Sequence, residues 1–390
     1  MSYFLLFVFL LYGGMHYYAY RKIAVAVMLA PWMSACLILF MATMVLAPVI
    51  IRLTEKAGLE SPATILSYAG YSWMGLLFLF FCTSVVIDFY RLLLHLAGLF
   101  PGRDFSPLAL SDRNHLLVAV SCAVVISIYG YFDALNIRTE RVIVKSDKIP
   151  AGVGRLTVVQ VSDVHLGLIV GKERLGRIVK EIKRVKPDIL VSTGDLVDSQ
   201  IDDLGTLVDE MKGISSKYGM FAVTGNHEYY AGISQALDFT RKAGFAVLSG
   251  DSRAVAGIRI AGVDDPVAYR MGTGRKDEET NALGSSANGE FTLLLKHRPD
   301  VEKDSVGSFD LQLSGHIHKG QIFPFSMVTR LLYPVASGLT NLPGGGYLYV
   351  SRGTGTWGPP IRFLAPPEVT IIELVRPDTT GAVKQANISR

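Results

Sequence analysis

Five short polar segments, each placed directly after an apolar run, hold most of the reactive side chains of this 390-residue chain. Asp163 and His165 form D-x-H after Leu156–Val161. Asp195 and Asp198 lie in GDLVD after Ile189–Ser192, and Asn226, His227 and Glu228 lie in GNHE after Met220–Val223. His297 follows LLLK, and His316 and His318 lie in GHIH after LQLS. The chain has 8 histidines. His16, His95 and His115 fall in an apolar N-terminal region, and the other five all fall in these segments. A lone histidine is usually structural. A full set gathered at strand ends, with Asp and Asn beside it, points to a metal-binding or acid–base site.

The elements that must position these residues follow from hydrophobic periodicity. Buried strands are expected at Leu156–Val161, Ile189–Ser192 and Met220–Val223, with a short strand at Arg141–Val144. Helical spacing covers Leu175–Lys186, Leu204–Lys217 and Ile233–Ala243. Strand, polar turn and helix in repeated order imply parallel strands. Strands then dominate: Ala254–Ala261, Phe291–Lys296, Leu311–Ser314, Tyr347–Ser351 and Val369–Leu374. The expected architecture is an α/β domain, a two-sheet mixed β sandwich flanked by helices. Ligands of such sheets bind outside the carboxyl ends of the strands. Alternation along an extended segment puts Asp163 and His165 on one side, and likewise His316 and His318. Residues 271–290 read as a mobile loop.

Half of the chain is apolar and only 18% is charged, but the excess is local. Residues 1–135 hold thirteen charges, and Ile23–Ile51 and Ser61–Ile87 hold none. A membrane-spanning helix needs about 20 predominantly apolar residues. Four transmembrane helices are expected in 1–135, then a linker with the first strand at 136–152, the α/β domain at 153–376 and a polar tail at 377–390. Asp88 and Arg91 read as a mutually neutralising pair near the membrane interface. Counting basic residues beside four spans gives seven on the side of the C-terminal domain (Arg52, Lys56, Arg138, Arg141, Lys145, Lys148, Arg155) against five (Arg21, Lys22, Arg91, Arg103, Arg113). This favours a multi-pass inner or plasma membrane protein with its C-terminal domain cytoplasmic. All 3 cysteines lie in the apolar region, which excludes a disulfide scaffold. A net charge of +4 is too small to argue for a nucleic-acid partner.

The five segments, in this order, resemble the calcineurin-like metallophosphoesterase superfamily, whose pattern runs D-x-H, G-D-x-x-D, G-N-H-[DE], an isolated His and G-H-x-H. The resemblance covers roughly residues 150–376, and with the apolar N-terminus it is similar to bacterial membrane-associated members. It implies two metal ions. Asp163, His165 and His318 would hold one, Asn226, His297 and His316 the other, and Asp195 would bridge them. Such mixed ligands suit Mn, Fe, Zn or Ni rather than Ca²⁺. The implied reaction is phosphoester or pyrophosphate hydrolysis by attack of a metal-bridging hydroxide, without a covalent phosphoenzyme. His227 is expected to be catalytic, stabilising the pentacovalent state or protonating the leaving oxygen. Asp198 and Glu228 are read as residues that orient ligands, or that shape the turns.

Substrate is less legible. Residues 322–347 are apolar with only Arg330 charged. This stretch fits either ordinary core or a flap on the bilayer surface, where membrane lipids are partners. Related members include hydrolases of lipid-linked pyrophosphates such as UDP-diacylglucosamine, so a lipid-linked phosphoester is one expected substrate class. A tethered enzyme for soluble phosphoesters and a non-catalytic scaffold are the alternatives. Gly353, Gly355 and Gly358 spell a dinucleotide-binding fingerprint, but Pro359 and Pro360 replace the helix it requires. A tight loop near the metal site is expected instead.

Overall fold

The computed structural model describes residues 2–100, 104–198, 205–284 and 289–377. The polar tail expected at 377–390 therefore lies almost wholly outside the described residues. Two compact units emerge. One holds the helices up to Phe132 together with Gly358–Phe363. The other starts at Asp133, runs to Trp357 and resumes at Leu364.

The helical unit contains α1 (Ser2–Val27), α2 (Pro31–Lys56), α3 (Glu60–Ala97) and α4 (Asp112–Leu135, its last turn in the second unit). Pro31 opens α2 at a position where its missing N–H costs nothing. Among the described residues, three helices are long and apolar enough to cross a membrane: α2, α3 and the stretch ending with α4. This corrects the expectation of four. α1 is continuous but carries Gly13, Gly14, His16, Arg21 and Lys22 among its apolar residues. The expected Asp88–Arg91 pair is also corrected. Asp88 meets Lys22 and Tyr18 of α1, and Arg91 pairs with Asp112 at 2.8 Å. Gly358–Phe363 joins this unit through an Arg362 N–H donated to the Gly130 carbonyl at 2.9 Å, with Phe363 edge-on to Tyr129.

The second unit contains β1 (Arg138–Lys145), β2 (Arg155–Val161), α5 (Lys172–Val185), β3 (Ile189–Thr193), α6 (Gly205–Lys212), β4 (Met220–Val223), α7 (Asn226–Ala231), α8 (Ile233–Lys242), β5 (Ala246–Val247), β6 (Asp251–Val255), β7 (Ile258–Gly262), α9 (Val267–Arg270), α10 (Glu278–Leu283), β8 (Thr292–Leu295), β9 (Leu311–Ser314), α11 (Phe325–Leu332), β10 (Gly338–Asn341), β11 (Tyr347–Val350) and β12 (Glu368–Val375). Two six-stranded mixed sheets form, ordered β1-β12-β2-β3-β4-β5 and β10-β11-β9-β8-β7-β6. β2 through β5 run parallel, as do β7, β8, β9 and β11.

One core joins the sheets. Residues two apart along each strand supply it: Leu156 and Val158, Ile189 and Val191, Phe221 and Val223, Ile258 and Ile260, Leu293 and Leu295, Leu311 and Leu313, Ile372 and Leu374. Intervening residues such as Val159, Leu190 and Leu294 are buried as well, which is why these strands read as unbroken apolar runs. α5 buries Leu175, Ile178, Val179 and Ile182, a helical stripe, and ends where Lys186 turns left-handed before Pro187.

Two expected elements differ. The single strand at Ala254–Ala261 is the hairpin β6–β7, because Ala256 and Gly257 both adopt positive φ and reverse the chain. The loop expected at 271–290 contains α10, held down by buried Ala282 and Leu283 and by a Glu279–Lys296 ion pair of 2.6 Å.

Leu293 is fully buried in the shared core, whereas Tyr269 is largely exposed. Leu293→Ala is expected to destabilise the second unit by about 2–5 kcal/mol, and Tyr269→Ala by less than about 0.5 kcal/mol. Denaturant melts of the full chain followed by β-sheet circular dichroism read both. Equal midpoints would contradict the two-sheet core.

Candidate metal centre

Five parallel strands deliver the site. β2 ends before Asp163 and His165, β3 before Asp195, β4 before Asn226, β8 before His297, and β9 before His316 and His318. The structure brings Asp163, His165, Asp195, His297, His316 and His318 together, with His227, Asp198 and Glu228 around them, and Asn226 opens the helix that follows β4.

Backbone conformation, not strand alternation, aims the ligands. Asp163, His165, Asp195, His316 and His318 all have φ between 48° and 73°. The sequence argument that these segments are extended is therefore corrected. Left-handed φ in non-glycine residues is costly and clusters at functional sites. Close approach explains the neighbouring glycines. A Cβ on Gly225 would sit 2.2 Å from Asp195 Oδ1, and one on Gly315 would sit 2.2 Å from Asp163 Oδ2.

Three groups of ligand atoms converge: Asp163, His165 and His318; His165, Asp195 and His227; and Asp195, His297 and His316, so that Asp195 belongs to two of them. The His165 and His318 Nε2 atoms are 3.0 Å apart, and His316 Nδ1 is 3.1 Å from His297 Nε2. Asp195 Oδ2 lies 3.2 Å from His297 Nε2 and 3.8 Å from His165 Nε2, between the clusters. His297 Nδ1 donates to the Thr193 carbonyl at 2.8 Å, which turns Nε2 toward Asp195. Asn226 Oδ1 is buried without a hydrogen-bond partner. Facing ring nitrogens, an orphaned amide oxygen and a shared carboxylate suit cations rather than a protein-only network.

The electrostatics agree. Burial raises the Asp163 carboxyl above its ordinary range, the charge of Asp195 adding to it. Burial also opposes ionisation of Asp195, but the histidine cations, His297 foremost, hold it far below that range. Burial works against a charged His297, yet Asp195 outweighs it and lifts the ring to about 10. His316 falls well below its ordinary value through burial and the neighbouring His297 and Arg298 charges. His227 resists burial through Asp195 and a 2.8 Å contact of its Nδ1 with Asp198 Oδ1, and rises to about 9. Cations at these clusters would compensate the same buried carboxylates.

Glu228 fastens the turns together. Its Oε2 accepts the N–H groups of Gly225 at 2.7 Å and Asp195 at 3.0 Å, and its Oε1 accepts those of Leu196 at 2.7 Å and Val197 at 3.3 Å. Sequence reasoning missed three aromatic neighbours. Trp357 and Tyr230 lie edge-on to His227, and Tyr333 lies edge-on to His316. Only Trp357 had a signal, its place in the glycine-rich loop. That loop is tight and close to the site. Gly355 and Thr354 donate N–H groups to the Asp163 and Ser162 carbonyls at 3.0 and 2.7 Å.

Residues 156–320 match the family model described as calcineurin-like phosphoesterase. An uncharacterized metallophosphoesterase of Aquifex aeolicus is 37% identical over 254 residues, 65% of this chain and 97% of that protein. One from Campylobacter jejuni is 31% identical over 320 residues, 79% of this chain and 83% of that protein. A Danio rerio protein named as a transmembrane protein with metallophosphoesterase domain is 32% identical, over 68% of this chain and 63% of its own length. Among solved structures, a dimetal phosphatase from Danio rerio aligns with 15% identity and a TM-score of 0.37, over 57% of this chain and 92% of that one.

Because Glu228 joins the two turns that carry Asp195 and Asn226, Glu228→Gln is expected to lower metal affinity about 10–100-fold. Gly225→Ala, which drives a methyl into Asp195, is expected to abolish binding. Chelator-competition titration of the purified chain measures both, and wild-type affinity in either variant would refute the support assigned to that residue.

Proposed function

The chain belongs to the calcineurin-like metallophosphoesterase family, and from that premise we propose that it is a membrane-attached hydrolase of lipid-linked phosphoesters or pyrophosphates. Phosphoesterase hydrolysis is the family's activity. The lipid-linked substrate rests on one observation within the second unit. α11 follows the His318 turn and exposes Phe325, Met327, Val328, Leu331 and Leu332, the last two at 85% and 72%. The next residue, Tyr333, lies 5.8 Å, ring to ring, from His316. An apolar helix of this kind suits a bilayer surface or acyl chain, and here it borders the metal ligands. The three apolar helices support membrane attachment, as do the Danio rerio and Bos taurus relatives, both named transmembrane proteins. Arg138, Arg141, Lys145 and Lys148, just after α4, support a cytoplasmic second unit.

The donor set fits two divalent or trivalent ions, of the Mn, Fe, Zn or Ni kind. Asp163, His165 and His318 hold one, Asn226, His297 and His316 the other, and Asp195 serves both. Such ions supply a water acidified near neutral pH and charge to offset that of the phosphoryl oxygens. The chain's own residues do the rest. Asp198 fixes the His227 ring through Nδ1, so Nε2 is the nitrogen available to substrate. Trp357 and Tyr230 restrict the ring from the side. As water adds to phosphorus and the ester P–O bond breaks, His227 gives its proton to the leaving oxygen. Asp198 also lies 3.3 Å from His165 Nδ1, so it orients a ligand and the acid together.

Asp195→Asn is expected to remove metal and activity together. His227→Ala is expected to keep metal, read by elemental analysis, and to lose turnover about 10²–10⁴-fold. Full activity in Asp195→Asn would sink the binuclear reading, and metal loss in His227→Ala would sink the acid role. The lipid reading has its own measurement. Leu331→Glu with Leu332→Glu should depress turnover of lipid-linked substrates in mixed micelles about tenfold and spare a small chromogenic phosphoester. Equal losses would favour soluble substrates.

A further inference from the structure

The helical unit holds a polar cavity that phosphoester hydrolysis does not use. Its volume is about 290 Å³, at the lower edge of ligand-sized pockets, and Tyr18, Arg21, Lys22, Val25, Asp112 and His115 line it. It lies where α1 and α3 end and α4 begins. Both nearby carboxylates already have cationic partners, Asp88 in Lys22 and Asp112 in Arg91. Arg21 has no carboxylate partner among the described residues. His115 is 1% exposed, and neither ring nitrogen has a hydrogen-bond partner. Its nearest acid, Asp88 Oδ1, is 3.6 Å from Nδ1, too far for a hydrogen bond. Leaving a buried imidazole unsatisfied is costly.

We propose that this cavity binds a phosphate-type anion. Arg21 supplies the unanswered charge, the Lys22 ammonium beside Asp88 supplies a further N–H donor, and His115 supplies a hydrogen bond from its ring. A guanidinium matches a phosphate through two parallel N–H groups, and an ammonium adds a point charge. A metal cation is disfavoured, because the acids are answered and the surplus charge is positive. The phosphate has two possible sources, a phospholipid headgroup and free phosphate. Headgroups lie where apolar helices end, next to basic side chains. That source rests on the membrane attachment proposed above. Free phosphate does not, so the two readings fail separately.

The test uses the full chain, stripped of metal by chelation so that the phosphoesterase site takes no phosphate. Melting temperature is followed against phosphatidylglycerol in micelles of neutral detergent, against phosphatidylcholine, and against inorganic phosphate. A saturable rise with phosphatidylglycerol and none with phosphatidylcholine is expected. Arg21→Gln should weaken it about tenfold, an effect of about 1.4 kcal/mol. Arg21 is exposed, so this variant decides the matter even if His115→Phe fails to fold. Both variants should retain wild-type turnover of a small phosphoester when metal is restored. Saturation by inorganic phosphate, lost in Arg21→Gln, would identify free phosphate as the ligand and support the anion site. No saturable binding of either probe, or wild-type binding by Arg21→Gln, would overturn it.

Discussion

Asp195 stands between two clusters of imidazoles, and nearly everything else in the second unit serves to hold it there. A carboxylate that is 2% exposed needs compensation from all sides. Its Oδ1 accepts the His227 N–H at 2.8 Å, its Oδ2 faces His297 and His165, and its own N–H is taken by Glu228. Glu228 in turn lies under four backbone N–H groups from two separate turns. The turns after β3 and β4 are therefore one mechanical piece, tied through a side chain rather than through the ladder. A strand register error of one residue would break this piece, so the two-sheet core and the site specify each other.

The left-handed residues show what that arrangement costs. Asp163, His165, Asp195, His316 and His318 each occupy a conformation disfavoured for a side chain with a Cβ. The cost falls on the turn residues that carry the ligand atoms, as backbone strain at functional sites commonly does. The same geometry explains why glycine precedes Asp195, Asn226 and His316. At Gly225 and Gly315 the chain passes against the Asp195 and Asp163 carboxylates, and at Gly194 against the Gly225 backbone and the His297 ring.

Much of this was legible in the sequence because two independent patterns coincided. Short, largely unbroken apolar runs located β2, β3, β4, β8 and β9, and polar segments of fixed type followed each of them. Strand ends could thus be named with their reactive residues before any coordinates. What was not legible depends on distant contacts or on single backbone angles. Ala256 gives no hint that it adopts positive φ and splits a strand into a hairpin. α10 is polar on its surface and is anchored by Lys296, which lies 17 positions from Glu279. Tyr333 and Tyr230 reach the histidines only through tertiary packing. Nothing in SRGTGTWGPPIRF indicates that its last six residues belong with the helices while Trp357 belongs with His227.

The helical unit makes a parallel point about charge. By sequence, Asp88 and Arg91 are neighbours on one helix and look self-neutralising. In three dimensions each finds its partner on a different helix, so one end of the unit is joined by two ion pairs across α1, α3 and α4. Both pairs are partly exposed, and ion pairs of that kind contribute little to stability. The unpartnered His115 and the free charge of Arg21 sit beside those pairs, and an apolar replacement would fill the space with less strain. A unit that only tethered the phosphoesterase would have no use for such a cavity.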